Sequence, residues 1–176
     1  MKELDDITMK KAAKGESRAF GRLYEHYAPF LWRVIFRTVN GDRHAASEII
    51  QDTFVRISRS LRGFNNGSAF STWAYRIAYN AAQTHLKHRR RKWRREREFD
   101  ETAFHSEAGD RYETRNEVER LLAPLSSEER FLLTAHAQGV SFEELAGMVN
   151  KSPGAVRVQT HRIRERGRKE VEHGDQ

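Results

Sequence analysis

The sequence predicts an all-α fold: two small helical domains, an N-terminal bundle and a C-terminal helix-turn-helix domain, joined by a flexible linker. Three observations carry this. Apolar residues recur three and four apart along both halves of the chain, the spacing of one helical face. No segment alternates apolar and polar residues for long enough to make a half-buried strand. The 176 residues include only three prolines and eleven glycines, which leaves long stretches free for helices. With 38% hydrophobic and 32% charged residues the core must be economical, which suits small helical units better than a large sheet.

Phe20, Leu23, Tyr24, Tyr27, Leu31 and Val34 lie on one helical face. Pro29 falls inside that run and is expected to kink or split the helix, because proline lacks an N–H and its ring crowds the preceding turn. Ile50, Phe54, Ile57 and Leu61 form a second stripe. RGFNNGSAF, from Arg62 to Phe70, is rich in turn residues and reads as a loop. Phe70, Trp73, Ala74, Ile77, Ala78 and Ala81 form a third stripe, which runs on into HLKHRRRKWRRER, from His85 to Arg97.

Residues 95–115 have few aliphatic side chains and weak periodicity, and read as the linker. The domains are therefore expected at 1–94 and 116–176. In the second, Val118, Leu121, Leu122 and Leu125 belong to a helix that ends near Pro124. Ser126-x-x-Glu129 and Ser141-x-x-Glu144 are two capping boxes, with Gly139 closing the helix between them. The following short helix ends near Asn150. Ser152-Pro153 then gives an N-cap with proline at the first helical position. Helix, tight turn, helix follows from signals independent of hydropathy.

Charge is laid out as basic, acidic, basic. The formal net charge of +7 favours a polyanionic partner, whether DNA, RNA or an anionic membrane surface. The absence of cysteine excludes disulfides and thiolate metal sites. No apolar run reaches bilayer length, so no membrane insertion is expected. The first fifteen residues lack the apolar segment of a signal peptide, so a cytoplasmic location is expected.

KSPGAVRVQTHRIRERGRK, from Lys151 to Lys169, combines seven basic residues with apolar spacing. With Val156 at the centre of the inner side, Thr160, Ile163 and Gly167 join it. Gly154, Arg157, Val158, His161, Arg162 and Glu165 then lie opposite. A helix divided in this way can pack on a scaffold while its far side enters a major groove, where Arg binds guanine edges or phosphates. A solvated basic face is the competing reading.

Catalysis finds no support: there is no phosphate-binding loop and no justified Ser/His/Asp arrangement, so no catalytic residue and no cofactor are assigned. His85 and His88 have a spacing that suits a shared metal, but they lie in a cationic run, so no metal site is assigned.

Taken in order, these segments make the chain resemble bacterial sigma factors of the extracytoplasmic-function group of the sigma-70 family. AFGRLYEHYAPFLWRVIFRTV resembles the first helix of the family's first domain. AASEIIQDTFVRISRSL resembles its polymerase-binding helix, with Glu48, Ile49, Ile50, Gln51, Asp52 and Phe54 at the family's acid, Leu, aliphatic, Gln, Glu and Phe. FSTWAYRIAYNAAQTHLKHRRR resembles the segment that opens and reads the downstream promoter element, through Trp73, Ile77, Ala78, Asn80 and Leu86. The stretch from Leu122 to Lys169 resembles the domain that reads the upstream element. Thr84 departs from the family's usual Asp, and Val158-Gln159 from a common Ser-Arg pair. The second departure removes a charged donor and should alter base preference or phosphate affinity.

The resemblance implies a sigma factor, not an enzyme, that binds core RNA polymerase and directs promoter recognition, DNA melting and transcription initiation, under an anti-sigma factor. It places Phe64, Asn65, Asn66, Ser68 and Asn80 at the downstream element. Arg76, Tyr79, Gln83 and Lys87, with Tyr75, would project from the less apolar sides of the same helix. Arg89, Arg90, Arg91 and Lys92 would grip phosphates. Glu48, Gln51, Asp52 and Arg56 would meet the polymerase, and Arg157, Val158, His161 and Arg162 the upstream element. Trp73, on the apolar stripe, is expected in the core. Two other readings remain open at this level: a helix-turn-helix regulator that binds duplex DNA alone, and a nucleic-acid-processing enzyme.

Overall fold

The structure, a computed structural model, describes residues 3–64, 69–99 and 117–174, and every regular element in these residues is helical. The first helix, α1 (Asp6–Ala13), is one to which the hydropathy pattern gave no signal. Asp5 caps it by accepting from the Thr8 amide at 2.8 Å. The chain before it is tied down by Tyr27, whose hydroxyl donates to Glu3 Oε2 at 2.8 Å and accepts from the Leu4 amide at 3.0 Å.

The helix α2 (Ser17–Thr38) is the centre of the molecule, packed by α1, α3, α4 and α6. Leu23, Tyr27, Leu31, Val34, Ile35 and Thr38 form its buried stripe. Of the two outcomes expected at Pro29, a split does not occur: α2 continues through the proline. Tyr27 and Leu31 are fully buried on either side of the proline, so one core holds both halves of the helix. Pro29 itself faces solvent, where water can solvate the carbonyl left without a partner. Asn40 and Gly41, both with positive φ, turn the chain, and Asp42 caps α3 (Arg43–Ser60) by accepting from the Ala45 amide at 3.0 Å.

A short 3-10 turn, Leu61–Gly63, ends this unit of helices before α4 (Phe70–Phe99). That helix extends five residues past the expected domain boundary at residue 94. Ala74, Ala78, Ala81 and Ala82 let it lie close against the bundle, since small side chains permit close packing of helix backbones. The C-terminal elements are α5 (Glu117–Leu122), α6 (Ser127–Ala137), α7 (Phe142–Val149) and α8 (Pro153–Gly174). Both expected capping boxes are present with both reciprocal hydrogen bonds. Gly139 and Asn150 supply the left-handed turns after α6 and α7, and Ser152 caps α8 through the Ala155 amide at 3.2 Å.

The two groups of helices share one hydrophobic core. Helix α6 lies along α2, and the ring of Phe131 meets Tyr79 of α4 at 4.5 Å between centroids. The Thr72 hydroxyl donates to Glu144 at the head of α7. Arg130 staples several chain ends together. It donates to the carbonyls of Leu125 at 2.6 Å, Ala123 at 3.3 Å and Leu122 at 3.4 Å, and to that of Thr38 at the end of α2 at 3.3 Å. A cation placed at two helix C-termini also complements their dipoles.

Candidate nucleic-acid interface

Three surfaces hold the residues singled out by sequence. The first is the outer side of α3. Ile50, Phe54 and Ile57 are buried, as their stripe required, so Glu48, Gln51, Asp52, Val55 and Arg56 form the other side. Asp52 accepts from Arg56 Nε at 2.9–3.0 Å through both oxygens, an i,i+4 pair that fixes two of the candidate side chains. Glu48 lies between His44 and His85, at 3.7 and 3.6 Å from their Nδ1 atoms. Val55 is an exposed apolar group on this side that the polar pattern did not single out.

The second surface is α4 with the loop before it. Asn80, Arg76, Lys87 and Arg90 are exposed along the helix. Asn65, Asn66 and Ser68 lie outside the described residues. Phe64 is half-buried in an aromatic cluster with Phe70 and Trp73, at 5.5 and 5.1 Å between ring centroids. Trp73 is accordingly part core and part surface. Tyr75 and Tyr79 do not project outward as expected. Tyr75 is fully buried, which pushes its hydroxyl up to about 12. Tyr79 is 8% exposed beneath Phe131. Their helical phase put them beside the polar residues, but α6 and α2 cover that side, a long-range contact with no trace in local spacing. Gln83 is half-buried. Arg89 is also drawn in: it donates to the buried carboxylate of Asp42 at 2.9 Å and sits 5.9 Å from the ring of Trp93. It braces the basic arm of α4 against α3, while Trp93 itself stands half exposed among cations, a placement sequence reasoning missed.

The third surface is the outer face of α8. Val156, Thr160 and Ile163 are buried, and Arg157, Val158, His161 and Arg162 are exposed, the division expected from their spacing. Arg157 leans back over α7, 5.5 Å from the Phe142 ring and 3.9 Å from Glu143. Behind the helix, Arg166 pairs with Glu129 of the first capping box at 2.9 Å. Partial burial works against ionisation of Glu129, but hydrogen bonds from Ser126 and the Arg166 charge hold its carboxyl below the usual range. Between α5, α6 and α8 the structure opens an apolar trough of about 350 Å³, lined by Val118, Leu121, Leu125, Leu133 and Ile163 and edged by Arg164 and Arg168.

Among the described residues no cluster of acids and histidines is placed to hold a metal ion, and no helix is long and apolar enough to cross a membrane.

Residues 23–95 match the family model for sigma-70 region 2. They comprise most of α2, all of α3 and the length of α4 that carries the second surface. The similarity to whole proteins extends much further. The RNA polymerase sigma-H factor of Pseudomonas aeruginosa is 31% identical over 177 residues, covering 93% of this chain and 91% of that protein. The chain belongs to the sigma-70 family, in the extracytoplasmic-function group. The ECF RNA polymerase sigma-E factors of Salmonella typhimurium and Escherichia coli K12 are each 28% identical over 179 residues, covering 92% of this chain and 91% of theirs. Among solved structures, CnrH in complex with the cytosolic domain of CnrY matches with a TM-score of 0.67 at 23% identity, over 95% of this chain and 96% of that one. The sigma factor RpoE from Bartonella quintana, in complex with the anti-sigma factor NepR, matches with a TM-score of 0.66 at 20% identity, over 87% and 96%. These two likenesses establish the all-helical fold. As a sigma factor, the protein directs RNA polymerase to promoters, and the three surfaces are the places where its chemistry must be sought.

Proposed function

We propose that the outer side of α3 binds core RNA polymerase, that α4 and the loop before it open and read the downstream promoter element, and that α8 reads the upstream element. Residues 1–94 and 116–176 then act as two units, with 95–115 between them. The observation that carries this reading is the division of α8: a buried Val156/Thr160/Ile163 side and an outer side of Arg157, Val158, His161 and Arg162, on a helix whose start is fixed by Ser152. The exposed cations along α4 supply the phosphate-binding charge that a melted strand requires. Acting as a specificity subunit in the cytoplasm, the protein needs no catalytic group of its own.

Regulation by an anti-sigma factor belongs to the same proposal. It is supported by the solved structure of the Bartonella quintana sigma factor RpoE, which is bound to the anti-sigma factor NepR. Such a partner would act by covering the polymerase-binding and DNA-reading faces together.

The test is transcription from supercoiled bacterial DNA with purified core polymerase. Promoter-specific transcripts are expected only when core and this protein are both present. Tight sequence-specific binding to duplex DNA by the protein alone, with no effect on core polymerase, would favour a free-standing regulator instead.

A further inference from the structure

The outer face of α8 is less uniform than its charge suggests. Of the residues in its first turns, Val156 and Thr160 are buried. Gln159 is held at both ends of its amide: Oε1 accepts from Lys151 Nζ at 3.0 Å, and Nε2 donates to Glu128 Oε1 at 3.3 Å. It fastens the turn before α8 to the head of α6. Arg157 rests on Phe142 and Glu143. What stands out from the helix is Val158, 50% exposed, with Ala155 one turn before it and His161 and Arg162 one turn after.

An exposed valine contributes nothing to the core, and valine is a mediocre helix former. Its stiff χ1, however, holds two methyl groups in a fixed place. In a major groove, thymine is the base that projects a methyl group. The other bases present hydrogen-bonding groups there, which a valine would desolvate without replacing their partners. We propose that Val158 reads the methyl group of a thymine in the upstream promoter element. This rests on the reading that α8 lies in the major groove, and it names the chemistry that one position of that helix selects.

The experiment uses the holoenzyme assembled from this protein and core RNA polymerase. Promoters are selected from a library randomised across the upstream element, and each enriched thymine is then replaced by deoxyuridine, which removes the methyl group alone. Wild-type holoenzyme should show one thymine whose replacement weakens binding roughly fourfold, the value of burying one methyl group. Val158→Ser should bring that thymine-to-deoxyuridine ratio close to one, with the melting temperature of the free protein unchanged because the side chain is exposed. Equal binding of thymine and deoxyuridine at every enriched position, or an undiminished ratio in Val158→Ser, overturns the assignment. Arg162→Ala separates the two levels of the argument. If it changes the selected sequence while the ratio is one throughout, α8 still reads DNA and only the role of Val158 is lost. If neither variant changes the selected sequence, the placement of α8 in the groove fails, and the assignment with it.

Discussion

Arg157 and Arg162 lie on the same face of α8 but differ in what holds them. Arg157 must leave Phe142 and Glu143 to reach a base, whereas neither contact restrains Arg162. The Arg157–Glu143 contact is exposed on both sides, so solvent screening makes the release inexpensive. Arg162→Ala is expected to cost about 1–3 kcal/mol at one base position if the side chain grips a guanine edge. If it binds only phosphate, the loss is uniform across promoters and the salt dependence flattens. Holoenzyme binding to promoters varied in the upstream element, at several salt concentrations, separates these outcomes. On α3, Asp52 and Arg56 form an exposed i,i+4 pair of the kind that contributes only about 0.3–0.5 kcal/mol. Gln51→Ala with Asp52→Ala should therefore weaken association with core polymerase while barely moving the thermal melt. Unaltered core affinity in that double variant would count against the α3 surface.

At the level of the elements, the molecule relies on terminal devices as much as on stripes. Ser141 is the N-cap of α7 and takes part in three hydrogen bonds with Glu144, so Ser141→Ala should cost about 1 kcal/mol in chemical denaturation. Arg130 acts at a larger distance, joining the end of α5 to the end of α2 through the carbonyls of Leu125 and Thr38. Losing hydrogen bonds from a charged donor to partly buried carbonyls should cost about 2–3 kcal/mol in Arg130→Ala. Lysine should restore little of it, because its compact ammonium lacks the planar fork that reaches several carbonyls at once. The basic arm of α4 depends on a similar brace. Asp42, already the cap of α3, holds Arg89, and Arg89 in turn sits over Trp93.

For the molecule as a whole, the contact between its two groups of helices determines which surfaces are open. Phe131 covers Tyr79, so α6 must move if Tyr79 is to reach promoter DNA, while Asn80 beside it is already exposed. Phe131→Ala should cost about 3–5 kcal/mol and loosen α6 from α2 and α4, which amide exchange on these helices would report. The Thr72–Glu144 bond ties the same contact to pH. Partial burial raises the Glu144 carboxyl, but hydrogen bonds from Thr72 and Ser141 outweigh it and hold the group below its ordinary 4.5. Its contribution to stability is therefore fully present above about pH 4.5 and is lost as the pH falls through the lower folded value. Thr72→Val should destabilise the protein by about 1 kcal/mol at neutral pH and reduce the stability lost on acidification below pH 4.5, measured by denaturant unfolding at each pH.

Local signals were legible wherever the physics is local. The caps at Ser126, Ser141 and Ser152, the buried stripe of α8 and the all-helical class follow from spacing and from side chains that bond to nearby backbone, and the sequence by itself determined them. The family, too, could be read from the order of its motifs. What the tertiary structure decided was which side of an amphipathic helix a neighbour covers. Pro29 was expected to kink or split α2, but burial of Tyr27 and Leu31 in one core outweighs the lost hydrogen bond and keeps the helix from splitting. Tyr79 and Arg89 have the helical phase of DNA-facing residues, yet Phe131 and Asp42, far away in sequence, occupy them. Helical spacing gives the direction in which a side chain leaves its own helix, and only packing between helices decides whether it meets solvent, DNA or another part of the chain.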